Sequence, residues 1–180
     1  MKTYKNKPQD LVIHFGVNTY KKIEELFDIQ EGETPTLHFL LALLGLTNQK
    51  RIDLDRRDPK SDETRTFSLR TMYQRDETDF DTYFGLITIL DNLDDEFEYI
   101  VNNIAFERTE LHDKTFLKMT NVKTFYEYML SGLDFVYKEF FTYDSSVVNV
   151  ADSIHDFLTA ENDIALDAIE LLLKEEEDDD

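Results

Sequence analysis

The chain has 180 residues, 41% apolar and 13% aromatic, which is enough for a packed core and excludes a disordered chain. Cysteine is absent, so disulfides, thiolate catalysis and Cys-ligated zinc are excluded. The net charge of −20, from 39 acidic against 19 basic residues, repels nucleic acid and anionic membranes and attracts basic surfaces.

Met1 to Asp10 (MKTYKNKPQD) is polar and carries no apolar stretch of signal-peptide length. The densest apolar run, Leu37 to Leu46, is too short to span a bilayer, so a cytoplasmic protein is expected. Leu11 to Phe15 (LVIHF) reads as a short strand. Asn18 can cap a helix through Phe27, with Tyr20, Ile23 and Phe27 on one face. Thr34-Pro35 is a helix start, a capping hydroxyl followed by a proline whose missing N–H costs nothing there. That helix runs through Leu46 and is apolar nearly all round, which makes it central.

Lys50 to Arg75 differs in character. Ile52 and Leu54 alternate with polar neighbours, as do Phe67 and Leu69, and Asp58-Pro59-Lys60-Ser61-Asp62 between them is a turn signal. The segment reads as a β-hairpin insert with a broad loop. From Thr78 the period is helical. Phe80, Tyr83, Phe84, Ile87 and Leu90 form one stripe. Phe97, Ile100, Val101 and Ile104 form a second, after the acidic break Asp94-Asp95-Glu96. The longest stripe is Val122, Phe125, Met129, Leu133, Val136 and Phe140, expected to pack on those two as a bundle. Further helices are expected around Val150 to Leu158 and Ala165 to Leu172. The like-charge block Glu175 to Asp180 is expected to be a disordered tail.

The fold class is therefore mostly α. One helical domain spans residues 1–174, with about six or seven helices and a small β element in the N-terminal third. Charge is segregated along it. Lys50 to Arg75 carries eight basic and five acidic residues, whereas Asp76 to Lys114 carries twelve acidic and two basic, so the hairpin is a basic island among acidic helices.

No catalytic, cofactor-binding or metal-binding motif is present. The glycines are isolated, which excludes a phosphate-cradling loop, and Ser145-Ser146 lacks a Gly-rich elbow. Asp152 and His155 share a helix face, but a helical di-metal site needs a second such motif. His14 and His38 read as packed or partnered residues. No cofactor is expected.

Two surfaces remain. Arg56, Arg57, Lys60 and Arg65 are the candidate nucleic-acid contacts of an accessory subunit. The interspersed Asp53, Asp55, Asp58, Asp62 and Glu63 favour instead pairing of the arginines with the molecule's own acids, and no direct DNA binding is expected of the isolated chain. The strand–helix–helix order of the first forty-six residues superficially resembles a ribbon-helix-helix DNA-binding unit, but the strand lacks basic side chains for reading a groove. The second surface is acidic. Asp91, Asp94, Asp95 and Glu98 lie within one or two turns of each other if the segment is helical, and carboxylates on a rigid helix can imitate duplex phosphates. In charge, size and helicity the chain resembles small acidic helical proteins of phages and mobile elements that occlude DNA-binding enzymes. The expected function is non-catalytic binding to a protein partner with a basic surface, a DNA-mimic inhibitor being one form of it. An enzyme of unrecognised type is the remaining alternative.

Overall fold

The computed structural model describes residues 10–30, 33–69, 77–107 and 115–141. The chain divides into two compact units, Met1–Tyr137 and Lys138–Asp180. Of the second unit, residues 138–141 are described, within a π-helical turn, Tyr137–Phe141.

Five α-helices are present among the described residues: α1 (Val17–Leu26), α2 (Thr34–Thr47), α3 (Glu77–Leu90), α4 (Phe97–Ile100) and α5 (Thr120–Val136). A π-helical turn, Val101–Ala105, extends α4, and a 3-10 turn, Phe116–Lys118, precedes α5. β1 (Leu11–Ile13) and β2 (Arg65–Phe67) pair antiparallel, with Leu11 opposite Phe67 and Ile13 opposite Arg65. The mostly helical class with a small β element near the N-terminus holds, and the described residues contain five helices against about six or seven expected of the chain. The helices expected at Val150 and Ala165, and the tail 175–180, lie outside the described residues.

The hairpin expected over Lys50 to Arg75 is corrected. Arg65–Phe67 within it is a strand, but it pairs with β1 and not with Ile52 and Leu54, and residues 70–75 lie outside the described residues. The first half makes turns because its own side chains compete for the backbone. Asp53 Oδ1 accepts from the Asp55 N–H, Asp58 Oδ1 from the Lys60 N–H, and Ser61 Oγ from the Glu63 N–H. Such short-range bonds to residue i+2 fold a chain into consecutive turns and take it out of a ladder. The N–H of Ile52 is bonded instead to the carbonyl of Glu127 on α5, and Arg57 meets His14 in an isolated bridge.

The centre of the unit is α5, not α2. Of the expected stripe, Val122, Phe125, Met129, Leu133 and Val136 are fully buried, whereas Phe140, in the π-helical turn, is only half-buried. Much of the rest of the helix is covered too, including Thr124, Tyr126, Glu127, Tyr128, Leu130 and Ser131, while Thr120 and Lys123 are exposed. Its main partner is α2, with α3 beside it. The reason is close backbone approach. A Cβ on Gly45 would lie 1.9 Å from the carbonyl oxygen of Tyr128, and one on Gly132 would lie 1.9 Å from that of Leu41. Two small residues facing each other's backbones let the axes approach more closely than larger side chains allow. α3 supplies Phe80, Phe84 and Ile87, and Phe84 packs edge-on to Phe125 at 5.0 Å between ring centroids. No described helix is long and apolar enough to cross a membrane.

Candidate functional site

Two members of the basic island, Arg51 and Arg65, pair with the molecule's own acids. Arg51 pairs with Asp91 at the end of α3 and lies over the Tyr128 ring, 5.7 Å from its centroid. Tyr128 donates its hydroxyl hydrogen to the other oxygen of Asp91. Arg65 on β2 pairs with Glu24 on α1 at 2.6 Å and covers the rings of Tyr20 and Phe67. Lys21 pairs with Glu63 at 2.6 Å, and Lys123 reaches Glu127 at 3.5 Å. Desolvation pushes the Glu127 carboxyl up against the pull of Lys123 and Arg51. Desolvation likewise raises Glu24, with Arg65 opposing it. Arg65, expected as a nucleic-acid contact, thus serves the fold. Arg56, Arg57 and Lys60 remain exposed, in a loop that also carries five acids.

The acidic set is divided in the same way. Asp91 is drawn inward, its side chain only 8% exposed, and is a structural ion-pair partner. Asp94, Asp95 and Glu98 are exposed. They do not share one rigid helix. α3 ends at Leu90, residues 91–95 form turns, and Glu98 sits in the four-residue α4. The N–H of Asp91 still bonds to Ile87, but that of Asn92 reaches only to Ile89, and that of Asp95 to Asn92. The turn follows from composition: Asp91-Asn92 and Asp94-Asp95-Glu96 place consecutive like charges and turn-forming side chains where a helix would have to continue.

The periodicity misassigned one apolar residue here. Phe97, counted in a buried stripe, is 47% exposed. Leu93 at 57%, Tyr99 at 55% and Phe106 at 43% are exposed with it, so most of the exposed large apolar side chains among the described residues fall between Leu93 and Phe106. Ile100 and Ala105 bury instead, against Ile89 of α3, with Val101 and Ile104 packed beside them. The signal lay in the flanks. Phe97 stands between Glu96 and Glu98, and burying it fully would drag a carboxylate toward the core. From Asp91 to Glu107 the sequence has six acidic residues and no Lys or Arg, so this surface is uncompensated from within.

The remaining polar cluster is sealed inside the core. His38 of α2 is fully buried and shares a 3.1 Å hydrogen bond, through Nε2, with the hydroxyl of Tyr20. Rings of Phe67 and Tyr126 pack edge-on to it at 4.6 and 5.9 Å. Burial, aided by the Arg65 charge, pushes the His38 pKa down to about 3, and burial pushes both phenols up. A shallow apolar groove of about 360 Å³ is lined by Phe27, Ile29, Thr36, Leu37 and Leu40, with Glu33 at its edge. Glu33 is engaged, accepting from the N–H of Gln30 at 2.8 Å. Among the described residues no group of three His, Asp or Glu converges as a metal site. The pair Asp152 and His155 lies outside them.

The chain matches no family model, no curated protein and no solved structure.

Proposed function

We propose that this is a non-catalytic, acidic binding protein whose partner is a protein with a basic surface. One observation supports the reading above the rest. The fold uses Arg51, Arg65, Lys21 and Lys123 to neutralise its own acids, and leaves Asp94, Asp95 and Glu98 exposed in a stretch with no basic residue. A negative surface of this kind steers a positive partner and sets its register more than it adds affinity. A cytoplasmic setting goes with the reading.

A DNA-mimic inhibitor is the narrower form of the same reading. It has less support, because a turn and a short helix do not hold carboxylates at the regular spacing of duplex phosphates. The accessory-subunit reading rests on Arg56, Arg57 and Lys60, whose loop, residues 48–64, carries five acids against five bases.

The test is affinity capture from native lysate at low and moderate salt, with Asp94→Lys/Asp95→Lys/Glu98→Lys as the matched control. Asp91 is left intact because its loss would break the Arg51–Tyr128 network. We expect a partner that salt releases and that the triple variant fails to retain. Release by competing duplex DNA would select the mimic form. A partner retained equally by the triple variant would refute the reading, and retention lost in Arg56→Glu/Arg57→Glu alone would move it to the basic loop.

A further inference from the structure

The apolar groove where α1 gives way to α2 has fixed walls. Glu33, Thr36, Leu37 and Leu40 recur at i, i+3, i+4 and i+7, so they share one face at the start of α2, with Leu37 as the buried floor. Phe27 and Ile29 line it from the end of α1. There Asp28 takes the left-handed conformation, at a φ of 48°, and the N–H of Ile29 returns to the carbonyl of Glu24 at 3.0 Å. That long bond back across a left-handed residue is how many helices close, and it fixes the residues on either side of the turn. The Gln30 N–H donates to the Glu33 carboxylate at 2.8 Å, and the Glu33 N–H donates to the Gln30 carbonyl at 2.9 Å, which ties this turn to α2. Phe27, placed by its spacing on one face with the buried Tyr20 and Ile23, is instead 39% exposed. A groove whose walls are already ordered lowers the ordering cost of binding.

Charge selects among occupants. Asp28, between Phe27 and Ile29, and Glu33, at the edge of the groove, are both exposed. From Ile23 to Gln49 the sequence has five acids and no Lys or Arg, and Arg65, which reaches this stretch from β2, is paired with Glu24. A second copy of this chain brings another −20, and nucleic acid brings phosphates, so both are repelled. We propose that this groove receives one or two apolar side chains, flanked by Lys or Arg, from a segment of a partner protein. Its volume of about 360 Å³ stands at the low end of the roughly 300–1,000 Å³ usual for ligand pockets, which suits one or two side chains. The proposal rests on the reading that the partner is basic, and adds where an apolar anchor of that partner enters.

Three short peptides separate the contributions. One carries leucine and phenylalanine between two arginines, one has glutamines in place of the arginines, and one has serines in place of the apolar pair. Binding is read from amide NMR shifts of the full chain near physiological salt. We expect the first peptide to shift the amides of Ile29, Leu37 and Leu40 saturably. It should bind at least about threefold more tightly than the glutamine peptide and at least about tenfold more tightly than the serine peptide. Asp28→Asn/Glu33→Gln should bring it down to the glutamine peptide's level. Asparagine tolerates the left-handed conformation, and a glutamine side-chain oxygen can still accept from the Gln30 N–H, so the turn is kept. Thr36→Trp, at an exposed position lining the groove, should block both apolar peptides. Circular dichroism melts check that both variants fold. Absence of binding, or shifts confined to the turn of Asp94 and Asp95, would overturn the groove as the entry point. Equal binding of the arginine and serine peptides would do the same, and equal binding of the arginine and glutamine peptides would show that the acids select nothing. Self-association of the free protein, abolished by Thr36→Trp, would give the groove to a second copy. None of these variants alters Asp94, Asp95 or Glu98, so failure here leaves the basic-partner reading to its own capture experiment.

Discussion

His38 shows how a residue with catalytic potential is spent on structure. Its ring is enclosed by Tyr20 of α1, Phe67 of β2 and Tyr126 of α5, and Arg65 is the nearest cation acting on it. Charging the ring in the fold would strip an imidazolium of water, and would also set it near the Arg65 charge, so the folded form binds the proton far more weakly than the unfolded chain. The sign follows. Between the unfolded value near 6.5 and the folded value of about 3, the unfolded chain carries the extra proton, so stability falls as pH falls through that window. The contribution is intact above it, and the loss levels off below about 3. The expected slope is about 1 kcal/mol per pH unit from this group. Glu24 and Glu127, whose carboxyls are raised, act in the opposite sense. Urea unfolding of wild type and His38→Gln across pH 7 to 4 isolates the histidine. The difference between the two curves should widen toward neutral pH, and parallel curves would show that His38 is not held neutral. The packed reading of His38 was legible because a lone histidine inside an apolar run has few other fates. Its ring partners were not legible, since they come from three elements distant in sequence.

The helices were legible from their apolar period, and their packing was not. Period marks which face of a helix is dry, but several dry faces fit together in more than one order. The bundle expected of α5 with α3 and α4 is in fact built first on α2, and the residues that decide it are the two that carry no side chain. Gly45 and Gly132 each sit in a helix interior, where alanine would ordinarily stabilise by about 1 kcal/mol. Here the sign reverses. An added methyl meets a main-chain oxygen at 1.9 Å, and no rotamer relieves a clash with backbone. Gly45→Ala and Gly132→Ala are each expected to destabilise by about 3 kcal/mol or more, at or above the usual range for overpacking. Gly85→Ala is the internal control. The atoms nearest its methyl would be those of the Phe106 ring, a 43% exposed side chain that can yield where a backbone oxygen cannot, so the expected change is within about 1 kcal/mol of zero. Chemical denaturation midpoints of the three variants check this, and equal costs at all three positions would show that the α2–α5 crossing is not backbone-tight. The hairpin failed for a related reason: alternation identified Phe67 as half of a sheet, but the choice of partner strand lay in Asp53, Asp58 and Ser61, which turn the nearer candidate back on itself.

For the whole molecule, net charge works on the fold and on binding with opposite signs. A charge of −20 on one chain repels itself, and the ion pairs of Lys21, Arg65 and Lys123 that offset it are part-exposed, so each contributes little. Raising salt from about 10 mM to about 150 mM shortens the screening length from about 30 Å to about 8 Å. Self-repulsion summed over the chain then weakens more than the short-range pairs do. The unfolding temperature of the isolated protein should therefore rise with salt over this range, although the surface ion pairs alone would make it fall. A basic partner reverses the dependence, because the same screening removes the attraction that steers it to Asp94, Asp95 and Glu98. Thermal melts and binding titrations in one salt series test the two signs together. Loss of binding while the melt moves upward assigns the release to screened attraction, since a protein made more stable by salt has not shed its partner by unfolding. A melt that falls with salt would mean that the internal pairs outweigh self-repulsion. The compensation of Arg51 by Asp91 and of Arg65 by Glu24 would then extend over more of the surface than the free carboxylates at 94, 95 and 98 suggest.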